Sequence, residues 1–163
     1  MKKTNKFISR IALQAVFISE DGLHLHVEVK INELPAIMVL DTGATHTVFD
    51  IDKIEMLTQK KTRNVNGRYS AGLGASEIQS KKIKINSLQL GNYIIKEQSF
   101  TCLPLTHLNQ GYQSLDIAEV IGVIGSDLMY TFGAHIDYAD CVLTLFKPDK
   151  AKQLGMKNIK FIS

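Results

Sequence analysis

The sequence has few cysteines and few aromatic residues, and both shortages exclude classes of protein. Cys102 and Cys141 have no spacing typical of a metal site, and each lies inside an apolar run. We therefore expect two buried free thiols and no bound metal, with one disulfide as the alternative. Arginine and aromatic residues are too sparse for a basic, stacking nucleic-acid surface. The net charge of +3 then indicates a solvated surface, and no nucleic-acid partner is expected.

The sequence also lacks an apolar run of membrane-spanning length, so we expect no stable membrane insertion. A basic start and an apolar centre give residues 1–18 some features of a secretory signal. However, Arg10 and Gln14 interrupt the apolar part, and no small-residue cleavage site follows. We expect a cytoplasmic protein, with export by an atypical N-terminal signal as the alternative. The 163 residues, 45% of them hydrophobic and 21% charged, are ordinary for one globular domain.

The most informative stretch, residues 38–49, places an acid at the end of an apolar run, in the order MVLDTGATHTVF. Burial of an unpaired carboxylate is costly, so Asp41 needs hydrogen-bond donors, a partner charge or a proton. Thr42 can supply a hydroxyl, and Gly43 allows backbone amides to approach closely. The pattern predicts a tight turn between two strands that orients the Asp41 carboxylate. An aspartate that only caps an ordinary turn is the alternative.

This stretch resembles the active-site loop of the aspartic proteases, in which two apolar residues precede Asp-Thr/Ser-Gly-Ala/Ser. It is especially similar to the single-domain, retroviral-type enzymes (retropepsins) and their bacterial relatives, whose loop often continues as Thr47-Val48 does here. Residues 120–129 resemble a second family signature, in which an apolar-apolar-Gly strand end is followed by a short helix. In the family this strand braces the catalytic loop, and Gly125 would allow that close approach.

The resemblance covers residues 23–147 and implies a mainly β fold. The expected structure is a retropepsin-like closed β-barrel, or acid-protease half-lobe, with one or two short helices. Residues 1–22 are an N-terminal segment of uncertain role, and residues 148–163 are a C-terminal tail. The chain is thus divided into one protease domain and two flanking segments.

Local patterns add detail to this expectation. Apolar and polar residues alternate over residues 23–31, which predicts a half-buried strand whose hairpin partner delivers Asp41. His24 and His26 then share a solvated face with charged residues, and we do not expect them to bind a metal. Asp50 is placed to cap a short helix over residues 51–59. Residues 106–116 are read as a polar connection.

The resemblance implies a mechanism without a cofactor or metal. Aspartic proteases use two carboxylates that share one proton and activate a water. Because this chain has a single Asp-Thr-Gly, the second carboxylate must come from a second chain, which predicts a homodimer. The implied catalytic residues are Asp41, Thr42, which fixes the partner loop, and Gly43, which contacts the substrate backbone. Asp127 is expected to contact backbone amides of a helical turn instead of acting as the second acid.

Substrate-binding residues follow from the same resemblance. Residues 62–76 are polar and glycine-bearing, which by composition is typical of a hairpin loop. In the retropepsins such a hairpin forms a flap over the substrate, and its tip here corresponds to Gly72, Leu73 and Gly74. Ala44 would also contact the substrate.

His46 stands where retroviral enzymes often have an acid. By analogy it lines a pocket, and an ordinary strand residue is the alternative. The leading hypothesis is a homodimeric aspartic endopeptidase that acts on extended peptides or proteins. The alternatives are a non-catalytic peptide-binding module with the same fold and a monomeric structural domain.

Overall fold

The computed structural model describes residues 7–69, 78–149, 154–156 and 158–162. In chain order the elements are β1 (Ser9–Phe17), β2 (Leu23–Ile31), β3 (Leu34–Leu40), β4 (Val48–Asp50), α1 (Ile51–Thr58), β5 (Arg63–Tyr69), β6 (Ile78–Leu90), β7 (Tyr93–Leu103), α2 (Thr106–Ser114), β8 (Gly122–Ile124), α3 (Ser126–Thr131), β9 (His135–Asp137), β10 (Val142–Leu145) and β11 (Ile159–Phe161). The mainly β prediction is confirmed.

Six strands close into a barrel. β6, β7, β4, β8, β3 and β2 follow one another across the sheet, and β2 also pairs with β6 to complete the ring. β1, β10 and β9 extend the sheet beyond β2, while β5 pairs with β6 and β11 with β7. The closed barrel is as predicted, but the described residues contain three helices where the sequence predicts one or two.

The hairpin of β2 and β3 delivers Asp41, as the sequence predicts. Its turn consists of Asn32 and Glu33, which both have positive φ (50° and 71°), as in the type I′ turns that suit the twist of paired strands. The Asn32 Oδ1 accepts hydrogen bonds from the amides of Asn86 and Ser87 (2.9 and 3.1 Å). These hydrogen bonds fix the turn to β6, the strand whose pairing with β2 closes the barrel.

Apolar side chains from the strands around Asp41 anchor those strands in the barrel interior. Phe49 of β4 is fully buried and meets the Phe100 ring edge-on, with the centroids 5.2 Å apart. Ile124 of β8 and Met38 of β3 are also almost completely buried. Burial of each such side chain contributes about 1.5–3 kcal/mol, so these strands are held firmly in place.

Helix α1 begins where the sequence predicts, because Asp50 caps it. The Asp50 carboxylate, only 5% exposed, accepts hydrogen bonds from the amides of Lys53 (3.0 Å) and Leu105 (2.8 Å). The helix ends one residue earlier than expected, at Thr58, and it buries Ile54. One buried carboxylate therefore ties α1 to the segment that follows β7.

The reading of residues 106–116 as a polar connection is wrong, because this segment contains α2. Leu108 and Tyr112 lie one helical turn apart and pack with Val39 and Val120. The side-chain amide of the buried Asn109 exchanges two hydrogen bonds with the backbone of Val120 (2.9 and 3.0 Å). These contacts hold α2 against the outer face of the β2–β3 hairpin.

The same helix overturns the expectation that His24 and His26 are solvated. His26 is only 2% exposed and meets the Tyr112 ring edge-on, with the ring centroids 5.1 Å apart. His24 is half-buried, whereas Glu28 and Lys30 farther along β2 are exposed, as expected. Alternation in the sequence identifies a strand face, but it cannot show that a helix distant in sequence covers half of that face.

The two cysteines differ in their surroundings. Both are free thiols. Cys102 of β7 is fully buried, and burial raises its pKa to about 12. Cys141 is only half-buried, at the turn before β10, where its φ is 50°. The expectation of a buried thiol therefore holds for Cys102 and is wrong for Cys141.

Segments near both ends of the chain join the sheet. β1 pairs with β10 through residues 9–12 and with β2 through residues 13–17, and β11 pairs with β7. No helix in the part of the chain that the structure describes is long and apolar enough to span a membrane.

Candidate active site

Asp41 lies immediately after β3, in a turn held by backbone hydrogen bonds. Its amide donates to the carbonyl oxygen of Ile124 in β8 (3.0 Å), and its carbonyl oxygen accepts from the Ala44 amide (3.2 Å). The Gly43 amide donates to the Asp41 Oδ1 (2.8 Å), so the donor expected from the sequence is present. Asp41, Thr42 and Gly43 are all exposed on the single chain. The turn therefore presents an oriented carboxylate at the surface.

The turn continues into a segment that Asp127 braces. Asp127 Oδ1 accepts hydrogen bonds from the amide and hydroxyl of Thr47 (2.9 and 2.7 Å) and from the Leu128 amide (2.8 Å). The Thr47 hydroxyl in turn accepts from the Gly125 amide (3.1 Å), and Thr47 is only 2% exposed. The expected contact of Asp127 with backbone amides is thus observed. Its link to Thr47 across two distant segments has no local sequence signal.

The close approach expected at Gly125 is also observed. A Cβ at this position would lie 2.5 Å from the carbonyl carbon of His46 and 2.6 Å from its oxygen. The neighbouring Ser126 amide donates to the Ala44 carbonyl oxygen (2.8 Å). Only glycine allows α3 to begin against the loop that carries Asp41.

A cavity of about 320 Å³ opens beside Asp41; seven of the eleven described residues that line it are aliphatic, but polar atoms form more than half of its exposed wall. It lies between β2, β3, α2, β8 and the hairpin of β9 and β10. Its lining residues are Leu23, His24, Leu25, Val39, Leu40, Asp41, Thr42, Leu108, Val123, Ile136 and Tyr138. Sequence reasoning found only Asp41 and Thr42 of this set, because apart from Val39 and Leu40 the other residues come from segments that meet Asp41 only in the folded chain.

Three remaining candidates lie in or near the loop. Ala44 is half-buried, with its backbone engaged as described above, and His46 is exposed. The His46 Nδ1 is 2.9 Å from the Thr45 hydroxyl. Thr42 contributes to the wall of the cavity beside Asp41. Ala44 and His46 are not among the described residues that line it.

The flap residues Gly72, Leu73 and Gly74 lie outside the described residues. The strands that flank them, β5 and β6, pair antiparallel from Arg63–Lys82 to Tyr69–Ile78. The chain therefore enters and leaves this segment through the two arms of one hairpin. Within the described residues, no group of three or more His, Cys, Asp or Glu is arranged to hold a metal ion.

Comparison with known proteins gives one family match and several related folds. Residues 27–128 match the family model described as aspartyl protease. A retropepsin-like aspartic protease from Rickettsia conorii is 20% identical, with 86% of this chain and 92% of that chain covered and a TM-score of 0.55. The EIAV protease, solved with the inhibitor HBY-793, is 18% identical, with 73% and 97% covered and a TM-score of 0.50. No curated protein gives a significant match.

Proposed function

The chain belongs to the aspartyl protease family, and on this premise we propose that it is an endopeptidase that hydrolyses extended polypeptides with Asp41 as its catalytic acid. The observation that carries the proposal is the Asp41 turn. It holds a carboxylate by the Gly43 amide, leaves it exposed and places it on the wall of a cavity. Family membership and a retropepsin-like fold make hydrolysis of a peptide bond the chemistry that suits this arrangement.

The second carboxylate is proposed to come from a second copy of the chain. Asp127 is unsuited to this role, because its Oδ1 already accepts three hydrogen bonds within the scaffold. The exposed Asp41, Thr42 and Gly43 can instead meet the same residues of a partner across a two-fold axis. A water held between the two Asp41 side chains is activated by the ionised one, while the other, which carries the shared proton, donates a hydrogen bond to the scissile carbonyl.

The remaining parts of the site have roles that follow from their positions. Thr42 reaches towards the partner loop, and Gly43 approaches the substrate main chain because it has no side chain. The hairpin arms β5 and β6 carry the flap that closes over an extended peptide, which binds by main-chain hydrogen bonds. The cavity beside Asp41 receives a substrate side chain.

Cleavage of a diverse peptide mixture from about pH 4 to 7, read by mass spectrometry, tests the proposal. Asp41→Asn keeps an oxygen for the Gly43 amide but cannot ionise, so we expect every cut of the wild type to disappear. Asp137→Asn is the matched control, since Asp137 is an exposed turn aspartate that accepts the Ala139 and Asp140 amides. We expect Asp137→Asn to make the same cuts as the wild type. An intact mixture with the wild type would contradict the proposal and favour a peptide-binding module.

A further inference from the structure

We propose that His24 selects the substrate side chain that enters the cavity beside Asp41, and that it favours glutamine. The preferred side chain has an aliphatic stem and an uncharged hydrogen-bond acceptor at its tip. This inference rests on the proposed function, because it assigns a specificity to the same site. It concerns a residue that the sequence places on a solvated face and that the structure places on the cavity wall.

The strand register brings His24 next to Asp41. Leu25 of β2 pairs with Leu40 of β3, at the end of the hairpin where the chain turns into the site. One residue farther out on each strand lie His24 and Asp41, and both line the cavity. A side chain in the cavity therefore contacts a wall that includes both His24 and Asp41.

Tyr112 determines which nitrogen of His24 carries the hydrogen. The Tyr112 hydroxyl lies 2.6 Å from the His24 Nδ1, and the two rings meet edge-on. Burial raises the pKa of Tyr112 to about 12, so the phenol keeps its proton. Tyr112 is 2% exposed, and the described residues offer its hydroxyl no other acceptor. A buried hydroxyl without an acceptor is costly, so it donates to Nδ1.

This hydrogen bond leaves Nε2 of His24 as the protonated nitrogen. Within the part of the chain that the structure describes, the Nε2–H has no hydrogen-bond partner. His24 is half-buried on the cavity wall, so a ligand in the cavity can supply the acceptor. The imidazole thus acts as a single oriented donor whose direction is fixed by α2.

The other wall residues determine the rest of the preference. Leu23, Val39, Leu108 and Val123 provide aliphatic surface for the methylene groups of a side chain. The Asp41 carboxylate on the same wall disfavours a second carboxylate, because like charges repel at short range. Glutamine satisfies both conditions, whereas leucine leaves Nε2–H without an acceptor and glutamate brings a like charge.

In the proposed homodimer each chain contributes one such cavity. By symmetry, a dimer in which the two Asp41 turns meet has one cavity on each side of the two-fold axis, so we assign the cavities to the residues on the two sides of the scissile bond. Peptides with glutamine at either of these positions should therefore be preferred substrates.

The test measures kcat/KM for matched peptides that carry glutamine, leucine or glutamate next to the scissile bond. We expect the wild type to prefer glutamine to leucine by about fivefold, as one neutral hydrogen bond allows. His24→Leu should abolish this preference while leucine peptides are still cleaved, and Tyr112→Phe should weaken it. His107→Leu is the matched control, since His107 is exposed on α2 and should leave the preference unchanged. A wild type without the preference, or an unchanged preference in His24→Leu, would overturn the proposal and leave the protease function intact.

A second measurement needs neither turnover nor a His24 variant. In the Asp41→Asn protein, the His24 Nε2 resonance is followed by NMR while glutamine and leucine peptides are added. A shift with the glutamine peptide alone supports the assignment, even if the wild type cleaves nothing and the proposed function fails. Equal shifts, or none, would overturn it.

Discussion

Three aspartates of this chain differ in the number of hydrogen bonds that they accept. The buried Asp50 accepts hydrogen bonds from two backbone amides. Asp127 accepts three, from the amide and hydroxyl of Thr47 and from the Leu128 amide. Asp41 is exposed, and within the described residues its carboxylate accepts only the Gly43 amide. The carboxylates of Asp50 and Asp127 thus hold the fold together, whereas Asp41 keeps an oxygen available for water or substrate.

His26 should make the protein less stable as the pH falls. Burial, and then the proximity of His24, lower the pKa of His26 from its usual 6.5. Below that value the unfolded chain binds a proton that folded His26 does not bind, so the free energy of unfolding decreases. His26→Phe keeps a ring against Tyr112 and removes the titrating group. We therefore expect the free energy of unfolding of His26→Phe to change less than that of the wild type between about pH 7 and 5.

Denaturant unfolding at several pH values measures this dependence, with the exposed His107→Phe as control. Glu55 does not interfere with this comparison. Hydrogen bonds from Lys61 and Thr62 lower its pKa to about 2, so the stability that its ionised form gives is lost mainly below pH 5. Equal slopes for wild type and His26→Phe would contradict the prediction. The control should keep the wild-type slope.

At the scale of elements, two glycines with opposite surroundings should respond differently to the same substitution. In Gly125→Ala the new Cβ would meet backbone atoms of His46 at 2.5 and 2.6 Å, so α3 or the Asp41 loop must shift. We expect a loss of more than about 1 kcal/mol in stability and a large loss of peptidase activity. Gly111 lies within α2, and apart from its chain neighbours and the backbone of its own helix, no atom of the described residues lies within 4 Å of its hypothetical Cβ. Gly111→Ala should raise stability by about 0.5–1 kcal/mol.

Thermal or denaturant unfolding and a peptide-cleavage assay on both variants give the comparison. If Gly125→Ala were as stable and active as Gly111→Ala, the close packing of the loop against α3 would not matter for the site. The pair shares one chemical change, so the difference reports the surroundings alone.

The elements that the sequence predicts are those with local signals. Asp50 predicts the start of α1, and the alternation over residues 23–31 predicts β2. Helix α2 was missed because only Leu108 and Tyr112 form its apolar stripe, among polar residues and Gly111. The cavity was missed for a related reason: His24 and Leu108 are far apart in sequence and meet only through tertiary packing. The Asp41 turn was predictable because the whole turn lies in one continuous stretch.

At the scale of the whole molecule, one chain presents half of the proposed site. If the active site needs one Asp41 from each chain of a homodimer, a wild-type chain that pairs with an inactive chain should lose its activity. When the two are co-refolded with Asp41→Asn in ninefold excess, random pairing should reduce the activity per wild-type chain to about a tenth. The same excess of Asp137→Asn chains should cause no such loss, because those chains retain Asp41. Activity per wild-type chain that does not change with added Asp41→Asn would show that a single chain is sufficient.

The pairing of β1 with β10 also affects the order in which the sheet can be completed during synthesis. Residues 13–17 can pair with β2 as soon as that strand has left the ribosome, but residues 9–12 pair with residues 142–145. Until β10 emerges, this part of β1 is an open strand edge, which is a template for pairing with other chains. Contacts so distant in sequence also slow folding. Translation that stops before β10 therefore releases a chain with an aggregation-prone edge, and the native sheet is completed only after nearly all of the described chain has been made.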